Sequence, residues 1–269
     1  MRRYICLTIT IIAITFFSGL DAEAQTNGWE DLFFRANQAF KESHYQDAID
    51  GYEQLAQTGH ENGHIYYNLG NGYFRLNQLG QAILNYERAR ILIPRDADLN
   101  FNLRLARDQI QDAIAEPQGF IQMAFFWLDS LSLQEVFWGF GIVNVLFWGI
   151  LLIRLFHRSE WNYYLSLVFL VLWLIGGTSF GLKWYQVWTD DRAVILKKEV
   201  NILSGPDIQD TVLFKLHEGT IVHHERSEDG WFLIRLPDKK RGWVEAEAVE
   251  QIKRGPTVLP GGSHNVNCR

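Results

Sequence analysis

Two uncharged apolar runs set the tightest limit on how this chain can fold. Val136 to Ile153 reads VFWGFGIVNVLFWGILLI, and Tyr163 to Leu182 reads YYLSLVFLVLWLIGGTSFGL. As helices the first reaches about 27 Å, nearly the width of a bilayer's hydrocarbon, and the second about 30 Å, its full width. Only the connection RLFHRSEWN, Arg154 to Asn162, separates them, so the helices must run antiparallel as a hairpin. Transmembrane helices are predicted over 133–156 and 163–184. Ser132 can cap the Glu135 amide while Glu135 reaches back, and Leu131 can staple onto Val136, giving the first helix a defined start.

Charge sets the direction. The connection carries Arg154 and Arg158, whereas the outer flanks carry Asp129, Glu135, Asp190 and Asp191, which places the connection in the cytoplasm. Trp161, Tyr163 and Tyr164 then mark the inner interface, and Trp184, Tyr185 and Trp188 the outer one. The amino terminus agrees: Arg2 and Arg3 precede an apolar run, and Ala22 and Ala24 give a small-residue cleavage spacing. Residues 1–24 read as a secretory signal peptide cut after Ala24, with an uncleaved anchor as the alternative. Both cues put the soluble segments outside the cytoplasm. Gly177 and Gly181 have the G-x-x-x-G spacing that admits a neighbouring helix, although small residues are common in membrane helices anyway. Asn144, amid the first run, needs a hydrogen-bond partner on the second helix or on another protein. FIQMAFFWL, Phe120 to Leu128, is too short to cross and is expected along the outer interface.

A net charge of -6 argues against a nucleic-acid partner. Of the two cysteines, Cys6 lies in the signal segment, so no intramolecular disulfide is expected in the mature chain. Cys268 sits in a polar tail, 254–269, expected to be flexible.

Ahead of the hairpin, ANQAFKESHYQDAIDGYEQL from Ala36 and GNGYFRLNQLGQAILNYERA from Gly70 align at an offset of 34 residues. Asn37 meets Asn71, Ala48 meets Ala82, Ile49 meets Ile83 and Tyr52 meets Tyr86. With Pro94 closing the second unit, the pattern resembles the tetratricopeptide repeat, a helix-turn-helix that stacks on its neighbours. Leu69, Gly70, Tyr73, Ala82, Tyr86 and Ala89 make the second copy strong; the first has Ala39 and His60 where Tyr and Pro are usual. A third helix is expected in DADLNFNLRLARDQIQDAI, Asp96 to Ile114, giving an all-α domain over 29–115. The resemblance implies that the first helix of each repeat lines a concave groove with Phe33, Asn37 and Lys41, then His64, Tyr67, Asn71 and Arg75, then Asn100, Arg104 and Arg107. Asn37, Asn71 and Arg104 match in kind the positions that clamp a peptide's terminal carboxylate in some such domains, while Phe33 replaces the usual lysine. General polar contact with a peptide and an unoccupied, solvated face are the alternatives.

HENGH, His60 to His64, spells the zinc-protease signature H-E-x-x-H. The repeat register sets His60 in a turn and His64 at the start of the next helix, with Gly63 between, so the imidazoles should not share a helix face. No catalytic residues, metal site or cofactor are expected.

After the hairpin, over 191–253, come AVIL, VNIL, TVLFKL, GTIVHHE, WFLIRL, RGWVE and AVEQI, separated by the turn signals SGPD, HEG, EDG and PDKKRG. VNILSGP, EGTIV, DGWFLIRL and RGWV resemble the bacterial SH3-like domain, an all-β barrel. Trp231 and Trp243 stand where that family has its two tryptophans, and Leu203 replaces its usual arginine. Relatives bind cell-wall peptides or proteins, which implies a binding surface at these tryptophans; a core role for both is the alternative. His217, His223 and His224 lack the spacing of a metal site, since neighbouring strand residues face opposite sides.

Signal peptide, tetratricopeptide helices, membrane hairpin and SH3-like barrel, in this order, are similar to the BatE-type aerotolerance proteins. That resemblance implies a non-catalytic adaptor in the bacterial inner membrane, working beside von Willebrand A-domain Bat proteins and a MoxR-type ATPase in aerotolerance or envelope stress. A cell-wall sensor gripping peptidoglycan through the barrel is the second reading. A protease is the third, and it requires zinc on His60 and His64.

Overall fold

The structure, a computed structural model, describes residues 28–58, 62–112, 114, 123–157 and 159–253. The signal segment 1–24, His60, Arg158 and the tail 254–269 lie outside them. Five helices come first: α1 (28–41), α2 (Tyr45–Gln57), α3 (Gly63–Arg75), α4 (Leu79–Leu92) and α5 (Ala97–Arg107).

The offset of 34 residues reappears in how these helices start and stop. Asn62 Oδ1 accepts the His64 amide at 2.9 Å to open α3, and Asp96 Oδ1 accepts the Leu99 amide at 2.8 Å to open α5. After α1 and α3 the chain turns through Ser43 and Asn77 at positive φ, 65° and 60°. The following amides, of His44 and Gln78, bond back to the carbonyls of Ala39 and Tyr73. A Cβ on Gly70 would overlap the Tyr86 ring, so α3 and α4 can close together only over a glycine. Because α3 begins at Gly63, the H-E-x-x-H stretch is broken by a helix start. The third helical run stops at Arg107 rather than at Ile114. Asp112 is instead held by the β-domain, where its carboxylate accepts the His217 amide at 2.6 Å and the Thr220 hydroxyl at 3.0 Å.

Helices α6 (Leu133–Phe156) and α7 (Glu160–Trp188) form the hairpin. Ser132 and Glu135 make the reciprocal cap, with the Glu135 amide donating to Ser132 Oγ at 3.3 Å and the Ser132 amide to Glu135 Oε2 at 2.9 Å. Both helices are long and apolar enough to cross a membrane, with mean hydropathy of 2.2 and 2.0. Only 11% of each apolar window is buried, whereas a soluble core helix would be mostly covered. Phe140 packs on Trp173 and Phe180 with ring centroids 6.1 Å and 6.0 Å away. Gly177 fits against Phe140 and Gly181 has open space, so the G-x-x-x-G pair is split between a contact inside the hairpin and none.

The β-domain has strands β1 (Arg192–Ile195), β2 (Glu199–Leu203), β3 (Val212–His217), β4 (Ile221–Glu228), β5 (Trp231–Arg235), β6 (Arg241–Glu245) and β7 (Val249–Gln251). They form one antiparallel sheet in the order β3-β2-β6-β5-β4-β1-β7. Asp229 and Gly230, both at positive φ, make the tight β4–β5 turn. Ile195, Ile202, Val222, Ile234 and Val244 lie in its core.

The helical array and the β-domain share a second core. Ile83, Tyr86, Leu99 and Leu103 cluster with Val194 and Ile252. Backbone approaches backbone at Gly80, where a Cβ would stand 2.7 Å from the Ile195 carbonyl oxygen. Helix α4 is therefore buried on nearly every side, although it carries Asn85, Glu87 and Arg88. Arg88 donates through Nε to the Ile252 carbonyl at 3.0 Å and through Nη2 to Gln251 O at 2.9 Å and Glu250 Oε1 at 2.7 Å.

Glu87 is fully buried and is met by three arginines: Arg90 at 2.8 Å, Arg192 of β1 at 3.2 Å, and Arg107 of α5. Arg192 also binds Asp190 at 2.7 Å, tying the junction to the end of α7. Burial alone would raise the Glu87 pKa, but the three guanidinium groups outweigh it and hold the carboxyl below its ordinary 4.5. A carboxylate depressed in the folded state stabilises that state above its unfolded pKa and loses the effect as pH falls through its folded value. The array–β-domain junction should accordingly hold at neutral pH and loosen only below pH 4.5. Glu87→Ala, which removes the carboxylate shared by three partly exposed arginines, should lower the opening free energy of the β1 amides in hydrogen exchange by about 1.5–3 kcal/mol at pH 7; an unchanged value would refute the clamp.

Candidate functional site

On the array's first helices, two side-chain knots repeat. Tyr52 Oη donates to Asn37 Oδ1 at 2.7 Å, and Asn68 Nδ2 donates to the same oxygen at 3.1 Å. One repeat on, Tyr86 Oη and Asn102 Nδ2 each donate to Asn71 Oδ1 at 2.8 Å. Asn102 Nδ2 also reaches Tyr67 Oη at 3.2 Å. Burial pushes the Tyr52 pKa up to about 12, partly offset by its Asn68 bond, and burial also raises that of Tyr86. Both phenols therefore stay protonated donors at neutral pH. Two donors on each amide oxygen fix which way the amide points, so the Nδ2 groups of Asn37 and Asn71 are turned away from the knots. Neither Nδ2 has a partner among the described residues.

Beside the first knot, Phe34, Asn37, Lys41, Tyr52 and Asn68 line a groove of about 330 Å³. Lys41 stands exposed on its rim, Phe34 is two-thirds exposed, and Phe33 stacks on Trp29 with centroids 5.4 Å apart. Arg75 is exposed and lies 5.7 Å over the Tyr45 ring. His64 is exposed at the start of α3.

Two predicted groove residues are engaged elsewhere. Arg107 turns to Glu87, because that buried carboxylate needs cations. Asn100 bonds the carbonyls of Pro94 and Asp96, at 2.9 Å and 2.7 Å, and closes its own turn. Arg104, one repeat beyond Gly70, occupies the position where Gly70 packs under Tyr86; with no such ring above it, Arg104 is exposed at the open end of the array.

On the β-domain, Trp231 is half-buried where β5 begins, opposite Glu228 and Glu245. Trp243 is only 7% exposed, beneath the Arg226 guanidinium at 5.1 Å, so little of its ring is open to solvent. Exposed apolar side chains gather instead near the edge strand β3, at Ile208, Val212 and Leu213. The sequence reading missed them because alternation along a strand does not reveal which edge stays open. The three histidines are engaged separately: His217 with Asp112, His223 with Asp191, and His224 with Ser227 and Gln251. Among the described residues no cluster of three or more metal-binding side chains forms.

Residues 196–251, from just before β2 to the end of β7, match the family model of the bacterial SH3 domain. The β-domain is thus a bacterial SH3 domain carried behind a helical array and an apolar hairpin. No curated protein matches the chain.

The second knot yields a graded expectation for urea unfolding. Tyr86→Phe removes one donor and should cost about 1 kcal/mol, while Asn71→Ala leaves two donors without their acceptor and should cost about 1–3 kcal/mol. Additive effects in the double mutant would mean that the two side chains do not share a bond.

Proposed function

We propose that this chain is a non-catalytic adaptor held in the bacterial inner membrane by α6 and α7, with the helical array and the SH3 domain outside the cytoplasm. The observation that carries this reading is the groove beside α1: the oriented Asn37 amide, the exposed Phe34 ring and Lys41 on the rim suit an extended peptide or protein segment. The repeated caps and knots support reading the array as tetratricopeptide repeats. Arginine on the α6–α7 connection and acidic residues on the outer flanks support the orientation. The resemblance to BatE-type proteins supplies the partners, von Willebrand A-domain Bat proteins and a MoxR-type ATPase system, and a setting in aerotolerance or envelope stress.

Binding of peptidoglycan through the SH3 domain is the second reading, favoured by the family match and by the partly open Trp231. One experiment separates them. The full chain carrying a photocrosslinking residue at Lys41 should capture extracytoplasmic proteins in cells. Arg75→Glu should cut the yield several-fold, and more than Arg75→Ala, which loses the same contact with the Tyr45 ring. Retention of the detergent-solubilised chain by purified sacculi, lost on Trp231→Ala and with no protein captured at Lys41, would replace the adaptor reading with the wall-binding one.

A further inference from the structure

The hairpin buries one seam of α6 and covers its neighbour only in part, where Phe137 meets Phe180 of α7 with ring centroids 5.9 Å apart and Gly141, Asn144 and Leu151 are half-buried. Val136, Phe140, Val143, Phe147, Ile150 and Arg154 recur at alternating spacings of four and three. Val136 and Phe147 are buried at 7% and 8% exposure, and Phe140 and Phe147 pack on Trp173. Shifting by one residue, about 100° around the helix, gives Phe137, Gly141, Asn144, Trp148, Leu151 and Leu155 at the same spacing. Phe137, Trp148 and Leu155 are 52%, 59% and 70% exposed, and no atom lies within 4 Å of where a Gly141 Cβ would stand.

Asn144 sits in this second seam about 17 Å from the start of a helix about 36 Å long, hence near the bilayer midplane. Its amide makes no hydrogen bond among the described residues. In hydrocarbon no water replaces the missing partners, so an unpaired amide is costly. Trp173 Nε1, buried and without a partner, could at most donate to Asn144 Oδ1, and both Nδ2 hydrogens would remain.

We propose that α6 pairs with α6 of a second copy of this chain through the Phe137–Gly141–Asn144–Trp148 seam, with the two Asn144 amides bonded to each other. Three features select a second copy. An amide is both donor and acceptor, so it complements itself. Copies inserted in one orientation bring Asn144 to the same depth, and a two-fold contact sets each residue against its twin. Gly141, one turn away on the same seam, lets the backbones close to hydrogen-bonding range.

The inference rests on α6 and α7 spanning the membrane, and the test separates the two claims. With Cys6 and Cys268 replaced by Ser, single cysteines are placed by Trp148→Cys and Leu151→Cys on the seam and by Leu146→Cys off it, and carbonate-washed membranes are oxidised. The two seam positions should give a disulfide-linked species of twice the chain mass, and Leu146→Cys should not. Adding Asn144→Leu to Trp148→Cys should lower that yield about tenfold. Equal yields at all three positions, no product from washed membranes that retain the chain, a product of another mass, or an unchanged yield with Asn144→Leu would each overturn the pairing. Loss of the chain in the carbonate wash would overturn the membrane reading and the pairing together.

Discussion

Glu87 is a carboxylate with no access to solvent, and the arrangement of the soluble body follows from satisfying it. An isolated buried charge would cost many kcal/mol, yet here Arg90, Arg107 and Arg192 reach it from α4, α5 and β1. Those three elements can move apart only by exposing or stranding a charge. Arg88 adds a second tie to the last strand, and Arg192 extends the first to Asp190 at the end of α7. The burial of α4, the early end of α5 and the capture of Asp112 all serve the same junction. A further bond continues it to the hairpin: Lys253 donates to the Val187 carbonyl at 3.1 Å and stands 4.8 Å over the Trp188 ring.

This junction decides which surfaces are left for binding. Contact with α4 consumes the β1 and β7 side of the SH3 domain, so its open apolar side chains lie near the opposite edge, β3. The array's groove stays free because its polar groups are organised internally by the Asn–Tyr–Asn knots. Two candidate faces fixed on one body, and that body fixed to a hairpin, are what the proposed adaptor would need.

Much of this was legible in the sequence where short-range rules govern. The hairpin cap at Ser132 and Glu135, the seven β runs and the repeat offset depend on residues close in sequence, and the structure has all three. The groove was legible in part: Asn37 and Asn71 lie on the first helices, but their oxygens are taken by Tyr52, Asn68, Tyr86 and Asn102. What pattern reading missed was long-range charge. Glu87, Arg88 and Arg90 in YERAR look like a solvated helix face, and nothing nearby in sequence announces that Arg192, across the hairpin, will reach Glu87 or that the last strand will cover Arg88. Arg107 was assigned to the groove for the same reason, since its partner is fixed by tertiary packing and not by helical register.

Through the Glu87 junction and the shared core, the array and the SH3 domain form a single rigid body. Pulsed dipolar spectroscopy between spin labels at Gln54 on α2 and Gln209 in the β2–β3 loop, on the full chain in lipid at pH 7, measures this directly. One narrow distance distribution is expected. A broad or multiple distribution would mean that the two units move independently, and would contradict the single rigid body.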